Sequence, residues 1–368
     1  MRTGAPRGAP VLLNPGPVTL SERVRRALLR PDLCHREEEF SELQAEIRER
    51  LLAVYGLSPE RWTAVLLGGS GTAAVEAMVG SLVSPAAGLL VIENGVYGER
   101  LSRIAEACGI AVSRLHLEWG ARVEPAAVAR LLEEAPTPTY LALVHHETTT
   151  GRLNDLARLA PLCREHGAGL LVDAVSSFGG EELEFEDWGL VAAAATANKC
   201  LHGVPGACFV ILRREALPPR ERAVRSVYLD LGSYARLQEA GGTPFTPAVQ
   251  SFQALAEALR ELVDQGGWRA RRAHYARLQR SVERGLARVG IRPLIPGEES
   301  SVVLRAYLLP DGVTYEALHD GLKRRGFVIY SGQGDLARRI FRISTMGDLA
   351  PADMDRFLTA VEEVLGDG

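Results

Sequence analysis

Short apolar runs alternate with longer segments of helical periodicity between residues 60 and 215. Four of these runs have the pattern of strands that end in loops: "TAVLLGGSGT", "GLLVIENG", "YLALVHHETTTG" and "GAGLLVDAVSSFGG". The segments between them predict helices at 72–83, 97–108 and 155–166, and "ACFVILR" at 207–213 predicts another strand. Alternating strands and helices favour an α/β fold with a mostly parallel sheet that is covered on both faces.

The remainder of the chain has a different pattern. A long helix is predicted at 248–262, and an arginine-rich helical stretch follows from about residue 265. The later segments are "SSVVLRAYL", "YEALHDGLKRRG", "FVIY", "IFRIS" and a last helix after Pro351, whose apolar face we interpret as core. We therefore predict a large domain over 21–262 and a smaller α+β domain over 263–368.

Composition narrows the class of protein. The chain has 368 residues, of which 46% are hydrophobic, and its net charge of −4 argues against a nucleic-acid binder and favours small charged ligands. Its five cysteines form no C-x-x-C pair and no metal-ligand spacing, so we predict reduced thiols and no metal site. The N-terminus lacks a long apolar h-region, no later apolar run approaches the length of a membrane span, and the expected location is the cytoplasm.

Lysine is rare in this chain, which makes residue 199 conspicuous. The sequence has two lysines, Lys199 and Lys323, so 40 of its 42 basic residues are arginines. Arginine supplies a positive charge equally well, but it cannot readily lose its proton to become a nucleophile. Lys199 lies in "TANKCLHGVPG", among small residues and glycines. Taken alone, it is also consistent with an ordinary surface lysine.

Three other strand ends carry candidate chemistry. In "GGSGTAAVEA" at 68–77 a strand turns through glycines into a helix whose free N–H groups suit a phosphate, although such turns are often only tight turns. This turn lacks the G-K-[ST] ending of a P-loop. Asp173 follows an apolar strand, where it either caps the next segment or faces a cationic group such as a protonated pyridine nitrogen. The segment "HHETTTG" at 145–151 is, by itself, a polar loop.

Together these features describe a site for pyridoxal 5′-phosphate (PLP). The helix N-terminus would hold the phosphate, Asp173 the ring nitrogen, and Lys199 the aldehyde carbon as a Schiff base. This combination is much more specific than any of its members. A non-catalytic nucleotide-binding module is the alternative from a different class, since it would also use the glycine turn.

The sequence resembles the class V branch of the fold-type I aminotransferases, which depend on PLP. The matching segments run from "LLNPGPVTLSERV" through "NGVYGERL", "HHETTTG", "VDAVSSFGG" and "TANKCLHGVPGACFVI" to "FTPAVQSFQAL" and "FRISTMG", nearly the whole chain. The triple threonine and the "ANKC-x-x-GVPG" run are most similar to members that act on phosphonates. The resemblance implies a large domain with a mostly parallel seven-stranded sheet, a smaller C-terminal domain, and an N-terminal segment, 1–20, near the active site.

The resemblance also implies a role for individual residues at the cofactor. Lys199 is the Schiff-base lysine, Asp173 the partner of the ring nitrogen, and Tyr97 the aromatic residue that stacks on the ring. The remaining cofactor contacts are Ser70, Gly71 and Thr72 at the phosphate, Thr148 at the phenolic oxygen, and Val175 and Asn198. Thr246 of "TPFTP" would reach the phosphate of a neighbouring subunit, which implies a homodimer with shared active sites.

Further residues are implied at the substrate. Arg342 in "FRIS" matches the arginine that binds the acidic end of the substrate, because a bidentate guanidinium suits both carboxylate and phosphonate. Asn14 and Gly16 of "NPGPV" belong to the same region. His35 and Arg36 in "LCHREEEF" resemble a His-Arg pair that contacts the substrate phosphate in phosphoserine aminotransferases. A salt-bridge cluster with the glutamates at 37–39 explains these two residues equally well.

The activity implied is transamination of 2-aminoethylphosphonate with pyruvate, giving phosphonoacetaldehyde and alanine, or the reverse. His202 stands where glutamine is expected in the nearest relatives, which leaves the exact substrate open. An alanine–glyoxylate or serine-type aminotransferase of class V would share every cofactor residue. A cysteine desulfurase is disfavoured, because it needs a nucleophilic cysteine near the C-terminal lobe and all five cysteines precede residue 209.

Overall fold

The computed structural model describes residues 10–366 except 85, 136–138 and 222. The strands are β1 (Val11–Leu12), β2 (Trp62–Gly69), β3 (Gly88–Glu93), β4 (Val112–His116), β5 (Thr139–Val144), β6 (His146–Glu147), β7 (Arg152–Leu153), β8 (Gly169–Asp173), β9 (Leu190–Thr196), β10 (Gly206–Arg213), β11 (Leu304–Leu308), β12 (Phe327–Val328), β13 (Tyr330–Ser331) and β14 (Ile340–Ser344). The helices are α1 (Glu22–Ala27), α2 (Glu38–Ala53), α3 (Gly71–Leu82), α4 (Val96–Ala107), α5 (Pro125–Glu134), α6 (Leu156–Glu165), α7 (Leu231–Glu239), α8 (Val249–Asp264), α9 (Gly267–Arg288), α10 (Tyr315–Arg324) and α11 (Pro351–Gly366). Every helix predicted between residues 60 and 262 is confirmed to within two residues at each end.

A seven-stranded sheet forms the centre of the large lobe, in the order β2-β10-β9-β8-β5-β3-β4. Strands β9, β8, β5, β3 and β4 pair in parallel, whereas β10 is antiparallel to both of its neighbours. The predicted mostly parallel sheet is therefore confirmed. Because β2 runs in the same direction as the parallel strands, its carboxyl end lies at the same edge as those of β8 and β9. Ligands of open α/β sheets bind at this edge.

Both faces of this sheet are covered by helices, as the continuous apolar runs predict. Successive residues of β2 belong to different core clusters. Leu66 packs in one cluster with Phe40 of α2 and Phe252 of α8. Val65, its neighbour in the chain, packs in the other cluster, which contains residues of α3, α4 and α7.

The C-terminal elements form a smaller unit around a three-stranded antiparallel sheet, β11-β14-β13. The N-terminal segment joins it, because β1 pairs in parallel with β12 and Thr19 bridges to Gly347. In α11, Met354 and Phe357 are fully buried, which confirms that its apolar face is core. The predicted domain boundary after residue 262 falls near the C-terminal end of α8, and it remains a prediction.

Two strands of the seven-stranded sheet, β4 and β9, have no counterpart among the strands named from the sequence, and one predicted strand is divided. The run of alanines in β9 favours a helix by intrinsic propensity, but its small side chains pack on both faces of the sheet, Ala192 in one core cluster and Ala193 in the other. Strand β4 lies at the edge of the sheet and exposes Ser113 and Arg114, so its apolar pattern is weak. The predicted strand "FVIY" is wrong as a single element, since β12 and β13 belong to different sheets. None of the described helices has the length and apolarity needed to cross a membrane.

Candidate active site

A cavity of about 180 Å³ lies at the carboxyl edge of the large sheet. Many of the residues predicted at the cofactor or substrate line it: Gly16, Ser70, Gly71, Thr72, Tyr97, Asp173, Val175, Asn198 and Lys199. These residues come from the N-terminal segment and from the segments that follow β2, β3, β8 and β9. The topology thus brings together residues that are far apart in the sequence.

The glycine turn after β2 leaves the N-terminus of α3 open to the cavity. Ser70 occupies the N-cap position, but its side chain makes no capping hydrogen bond to the helix. A Cβ atom on Gly71 would lie 2.6 Å from Cγ1 of Val175, so only glycine fits here. The first N–H groups of a helix are free to bind an anion where no side chain caps them. The N-terminus of α3 therefore has the properties of a phosphate site.

Asp173 ends β8 and is buried at the base of the same cavity. Its Oδ1 atom accepts a hydrogen bond from the N–H of Val175 at 2.9 Å. Burial raises the pKa of Asp173 to about 6, and the nearby charge of Glu147 adds to this effect. A cationic ligand group would favour the ionised carboxylate and oppose this shift. The hydrogen bond from Val175 is also what the alternative interpretation requires, in which Asp173 only caps the segment after β8.

Lys199 lies on the β9–β10 connection, within the cavity. Its side chain is half-buried, and its Nζ atom donates to the carbonyl oxygen of Pro15. A Cβ atom on Gly16 would lie 2.8 Å from Cδ of Lys199, so the N-terminal segment packs directly on the lysine side chain. Burial lowers the pKa of Lys199 to about 8. Because the lysine side chain lines the cavity and contacts the N-terminal segment, it is not an ordinary surface lysine, whereas its role at a cofactor stays a prediction.

The segment that carries Lys199 is fixed to the C-terminal half of the chain. His202 has a left-handed backbone with φ of 63°, and its Nε2 atom accepts a hydrogen bond from the N–H of Gly347 at 2.9 Å. The same imidazole nitrogen contacts the hydroxyl of Tyr275. Arg271 donates to the carbonyl oxygen of Cys200 at 2.8 Å. His202 thus positions the lysine segment against α9 and the residues after β14.

Arg342 of β14 is buried, although no carboxylate pairs with it in the described part of the chain. It donates to the carbonyl oxygens of Ser331 and Thr148, at 2.8 and 2.9 Å. Its Nη2 atom is buried and has no hydrogen-bond partner among the described residues. Burial lowers the pKa of Arg342, and the ring of Tyr330 lies 5.2 Å from the guanidinium carbon. Burying a guanidinium with unused donors is costly unless a ligand satisfies them.

Thr148 and Asn14 are buried next to residues of the site but do not line the cavity of the described structure. Thr148 contributes its carbonyl oxygen to Arg342, whereas its predicted contact with the cofactor ring remains a prediction. The side-chain amide of Asn14 donates to the carbonyl oxygen of Pro17 at 3.1 Å, and its Oδ1 atom is buried without a partner among the described residues. Asn14 therefore shapes the turn that packs on Lys199.

Thr246, His35 and Arg36 lie together, away from the cavity. The Oγ1 atom of Thr246 is 3.4 Å from Nε2 of His35, and Arg36 donates to the carbonyl oxygen of Thr243 at 2.8 Å. Thr246 is exposed. No ion pair joins His35 or Arg36 to the glutamates at 37–39 in the part of the chain that the structure describes. The contacts of this pair thus differ from the salt-bridge cluster that was one of the two interpretations.

Sequence reasoning missed Arg100, His146 and Glu147. Arg100 lines the cavity, lies over the ring of Tyr97 at 4.7 Å and approaches Oγ1 of Thr72 at 3.4 Å. It follows Tyr97 by three residues on α4, so helical spacing could have indicated that both face the cavity. His146 also lines the cavity, and burial lowers its pKa to about 4.

Glu147 is completely buried and caps α4 from another segment. Its carboxylate accepts hydrogen bonds from the N–H groups of Tyr97 and Gly98, each at 3.2 Å, and from Thr149. A Cβ atom on Gly95 would lie 2.3 Å from the Glu147 side chain, so glycine is required before the helix. Glu147 therefore fixes the position of Tyr97, and no local pattern in "HHETTTG" indicated this role.

Comparison with known proteins identifies the family. The family model described as Aminotransferase class-V matches residues 23–334. The 2-aminoethylphosphonate–pyruvate transaminase of Vibrio cholerae serotype O1 is 36% identical over 363 residues, which cover 98% of each chain. The enzyme of that name from Aeromonas hydrophila is 38% identical over 358 residues, 95% of this chain and 94% of the relative.

The solved structures support the same family. A Thermus thermophilus aspartate aminotransferase of subgroup IV is 33% identical, with a TM-score of 0.87 and coverage of 97% of this chain and 99% of that one. The predicted fold class, an aminotransferase of fold type I, is thereby confirmed. Family match, relatives and fold agree over nearly the whole sequence, and the chain belongs to the class V aminotransferases.

Proposed function

We propose that the chain exchanges an amino group between 2-aminoethylphosphonate and pyruvate, with phosphonoacetaldehyde and alanine as the products. The reverse direction uses the same site. The observation that carries this proposal is Arg342, a buried guanidinium with unused donors near the cavity that contains Lys199 and Asp173. Both substrates have an acidic group for such a guanidinium to bind. The names of the relatives supply the identity of the acidic amine.

The residues of the cavity fit PLP as the cofactor. The uncapped N-terminus of α3, with Ser70, Gly71 and Thr72, would hold the phosphate. Asp173 would face the ring nitrogen and Lys199 the aldehyde carbon, with Tyr97 at the ring. Val175, Asn198 and Thr148 are proposed as further contacts. When bound, PLP supplies an electron sink for the negative charge that forms at the substrate carbon.

Lys199 is proposed to hold and release the proton that moves during transamination. A pKa of about 8 allows the amine to gain or lose a proton near neutral pH, as general acid–base catalysis requires. The carboxylate of Asp173 would supply a negative charge in the same cavity, which favours a positively charged ring nitrogen. Pro15 and Gly16 of the N-terminal segment contact Lys199 and limit the access of water to it, and Asn14 holds their turn through its bond to Pro17.

Arg342 is proposed to bind the acidic groups of the amine and of the oxo acid in turn. An exchange of this kind uses one site for both substrates, so a single guanidinium serves each half-reaction.

The proposed active unit is a homodimer. Thr246, His35 and Arg36 lie together and away from their own cavity, which is consistent with a contact to the phosphate or substrate of a second subunit. We propose the cytoplasm as the location.

The proposed function predicts a specific result in half-reactions. We expect 2-aminoethylphosphonate alone to convert the enzyme-bound cofactor to its amine form in a single turnover, and pyruvate alone to reverse this. Alanine with glyoxylate, serine and aspartate are the competing substrates, tested under the same conditions by the absorbance of the cofactor. Efficient turnover of alanine and glyoxylate without reaction of any aminophosphonate would overturn the proposal and leave the family assignment intact.

The pKa of Lys199 predicts how the protein takes up its cofactor. Attack on the aldehyde requires an uncharged amine. Since burial lowers the pKa of Lys199 from the ordinary 10.5 to about 8, the rate of covalent attachment should rise with pH and level off a little above 8. The measurement is stopped-flow absorbance after PLP is mixed with cofactor-free protein at a series of pH values. A rate that keeps rising toward the ordinary lysine pKa would contradict it.

A further inference from the structure

Arg342 has more hydrogen-bond donors than the described residues satisfy. A guanidinium carries five N–H groups in a fixed planar arrangement. The Nε–H group donates to Ser331, and Nη1 donates to Thr148. The only other contact of Nη1 within the described residues is Oε1 of Gln333, at the long distance of 3.4 Å, and Nη2 has no partner there. Nη2 is therefore unsatisfied within the described residues, and Gln333 lies beside Nη1 on the same guanidinium.

The neighbours of Gln333 decide how its side-chain amide is oriented. Because a guanidinium only donates hydrogen bonds, the amide atom that faces Arg342 is the oxygen. Thr149 Oγ1 also lies 3.4 Å from this oxygen, but its hydroxyl donates its hydrogen bond to Oε1 of Glu147, which is only 2.6 Å away. Thr149 therefore leaves the amide of Gln333 free. The nitrogen of this amide makes no hydrogen bond within the described part of the chain.

We propose that Gln333 is the residue that distinguishes a phosphonate from a carboxylate at Arg342. This inference rests on the proposed function. A carboxylate has two oxygens, and the Nη1 and Nη2 donors of Arg342 are sufficient for both. A phosphonate has a third oxygen, which needs a donor of its own. The amide oxygen of Gln333 lies 3.4 Å from Nη1, so a rotation of the amide would bring its N–H₂ group toward a ligand on Arg342 as that donor.

The chemistry of an amide suits an enzyme that must bind both acids at one place. A second cation would raise the affinity for every anion, including pyruvate, whereas a neutral amide adds one hydrogen bond to the additional oxygen. Its weak contact with Nη1 can be displaced when the acid group arrives, since a distance of 3.4 Å is beyond the usual range for such bonds. Gln333 is half-buried on the turn between β13 and β14, where it can change its rotamer without disturbing the core.

The test compares ligands that differ only in the acid group. Ethylphosphonate and propanoate do not react, so calorimetry on the PLP-loaded enzyme gives their dissociation constants directly. 2-Aminoethylphosphonate and 3-aminopropanoate provide the same comparison in single turnovers. Replacing Gln333→Leu keeps the volume of the side chain and removes the amide. We expect the preference for phosphonate over carboxylate to fall by about 10-fold or more in both measurements, with the pyruvate half-reaction close to that of the wild type.

Two further variants make the result specific. Asp335 is exposed on the same turn and does not contact Arg342, so Asp335→Ala should keep the full preference. Gln333→Glu should weaken both acids, because a carboxylate would pair with Arg342 itself. Equal losses for phosphonate and carboxylate in Gln333→Leu, or no loss, would overturn the inference. Failure of the proposed function has a different signature, since the wild type would then fail to convert 2-aminoethylphosphonate.

Discussion

Replacing Lys199 with arginine is expected to abolish transamination while the protein still folds. Arginine has a similar aliphatic stem and can pack against Gly16, but its guanidinium stays protonated at every working pH. It can neither attack the aldehyde of the cofactor nor move a proton between substrate atoms. Loss of the proton transfer alone reduces the rate by about 10²- to 10⁴-fold, and loss of covalent attachment adds to this.

The measurements for this variant separate chemistry from folding. Borohydride treatment followed by intact mass should attach the cofactor to the wild type and leave Lys199→Arg unlabelled, and single turnovers with 2-aminoethylphosphonate should be absent. Lys323 is the natural control, because it is the other lysine of the chain and is exposed on α10. Lys323→Arg should behave as the wild type. If Lys199→Arg transaminates at a rate close to that of the wild type, Lys199 does not have the proposed role.

The main features of the fold follow from local patterns, and the exceptions have physical causes. Apolar runs bounded by glycines predict the central strands because those strands are buried on both faces. Strand β9 does not follow this rule, since its alanines form a strand only between β8 and β10. Its position also matters for the site, because β9 delivers Lys199 to the same edge of the sheet as Asp173. The sequence pattern therefore indicates Asp173 and Lys199, although it does not indicate strand β9, which brings them together.

Site residues that lie at the ends of strands could be predicted from the sequence. Those whose role depends on contacts between distant segments could not. Asp173, Lys199 and the turn at Gly71 have polar or glycine identities that are unusual after apolar runs, so the sequence alone indicated them. Arg342 is one of 40 arginines, and only the resemblance to a family distinguished it. Gln333 gave no local indication, because its importance depends on the hydrogen bonds that Arg342 lacks.

The second large effect is expected at Asp173. Asp173→Ala should weaken cofactor binding and slow proton abstraction, because the ring nitrogen loses the negative partner that keeps it protonated. An adjacent opposite charge shifts a pKa by about 1–3 units, which corresponds to about 1.4–4 kcal/mol and to a loss of about 10- to 10³-fold in affinity. The dissociation constant of PLP and the single-turnover rate with the amine measure the two effects separately.

Asp173→Asn distinguishes the two interpretations that the sequence left open. The asparagine oxygen can still accept the hydrogen bond from the N–H of Val175, so a cap would be preserved, whereas the charge is removed. If Asp173 is the partner of the ring nitrogen, the asparagine variant should lose nearly as much activity as the alanine variant. It should also show a larger kinetic isotope effect with an amine deuterated at the reacting carbon, since proton abstraction would then limit the rate. Full activity in Asp173→Asn, with a defect only in Asp173→Ala, would reduce Asp173 to a structural cap, because the hydrogen bond to Val175 would then account for its presence.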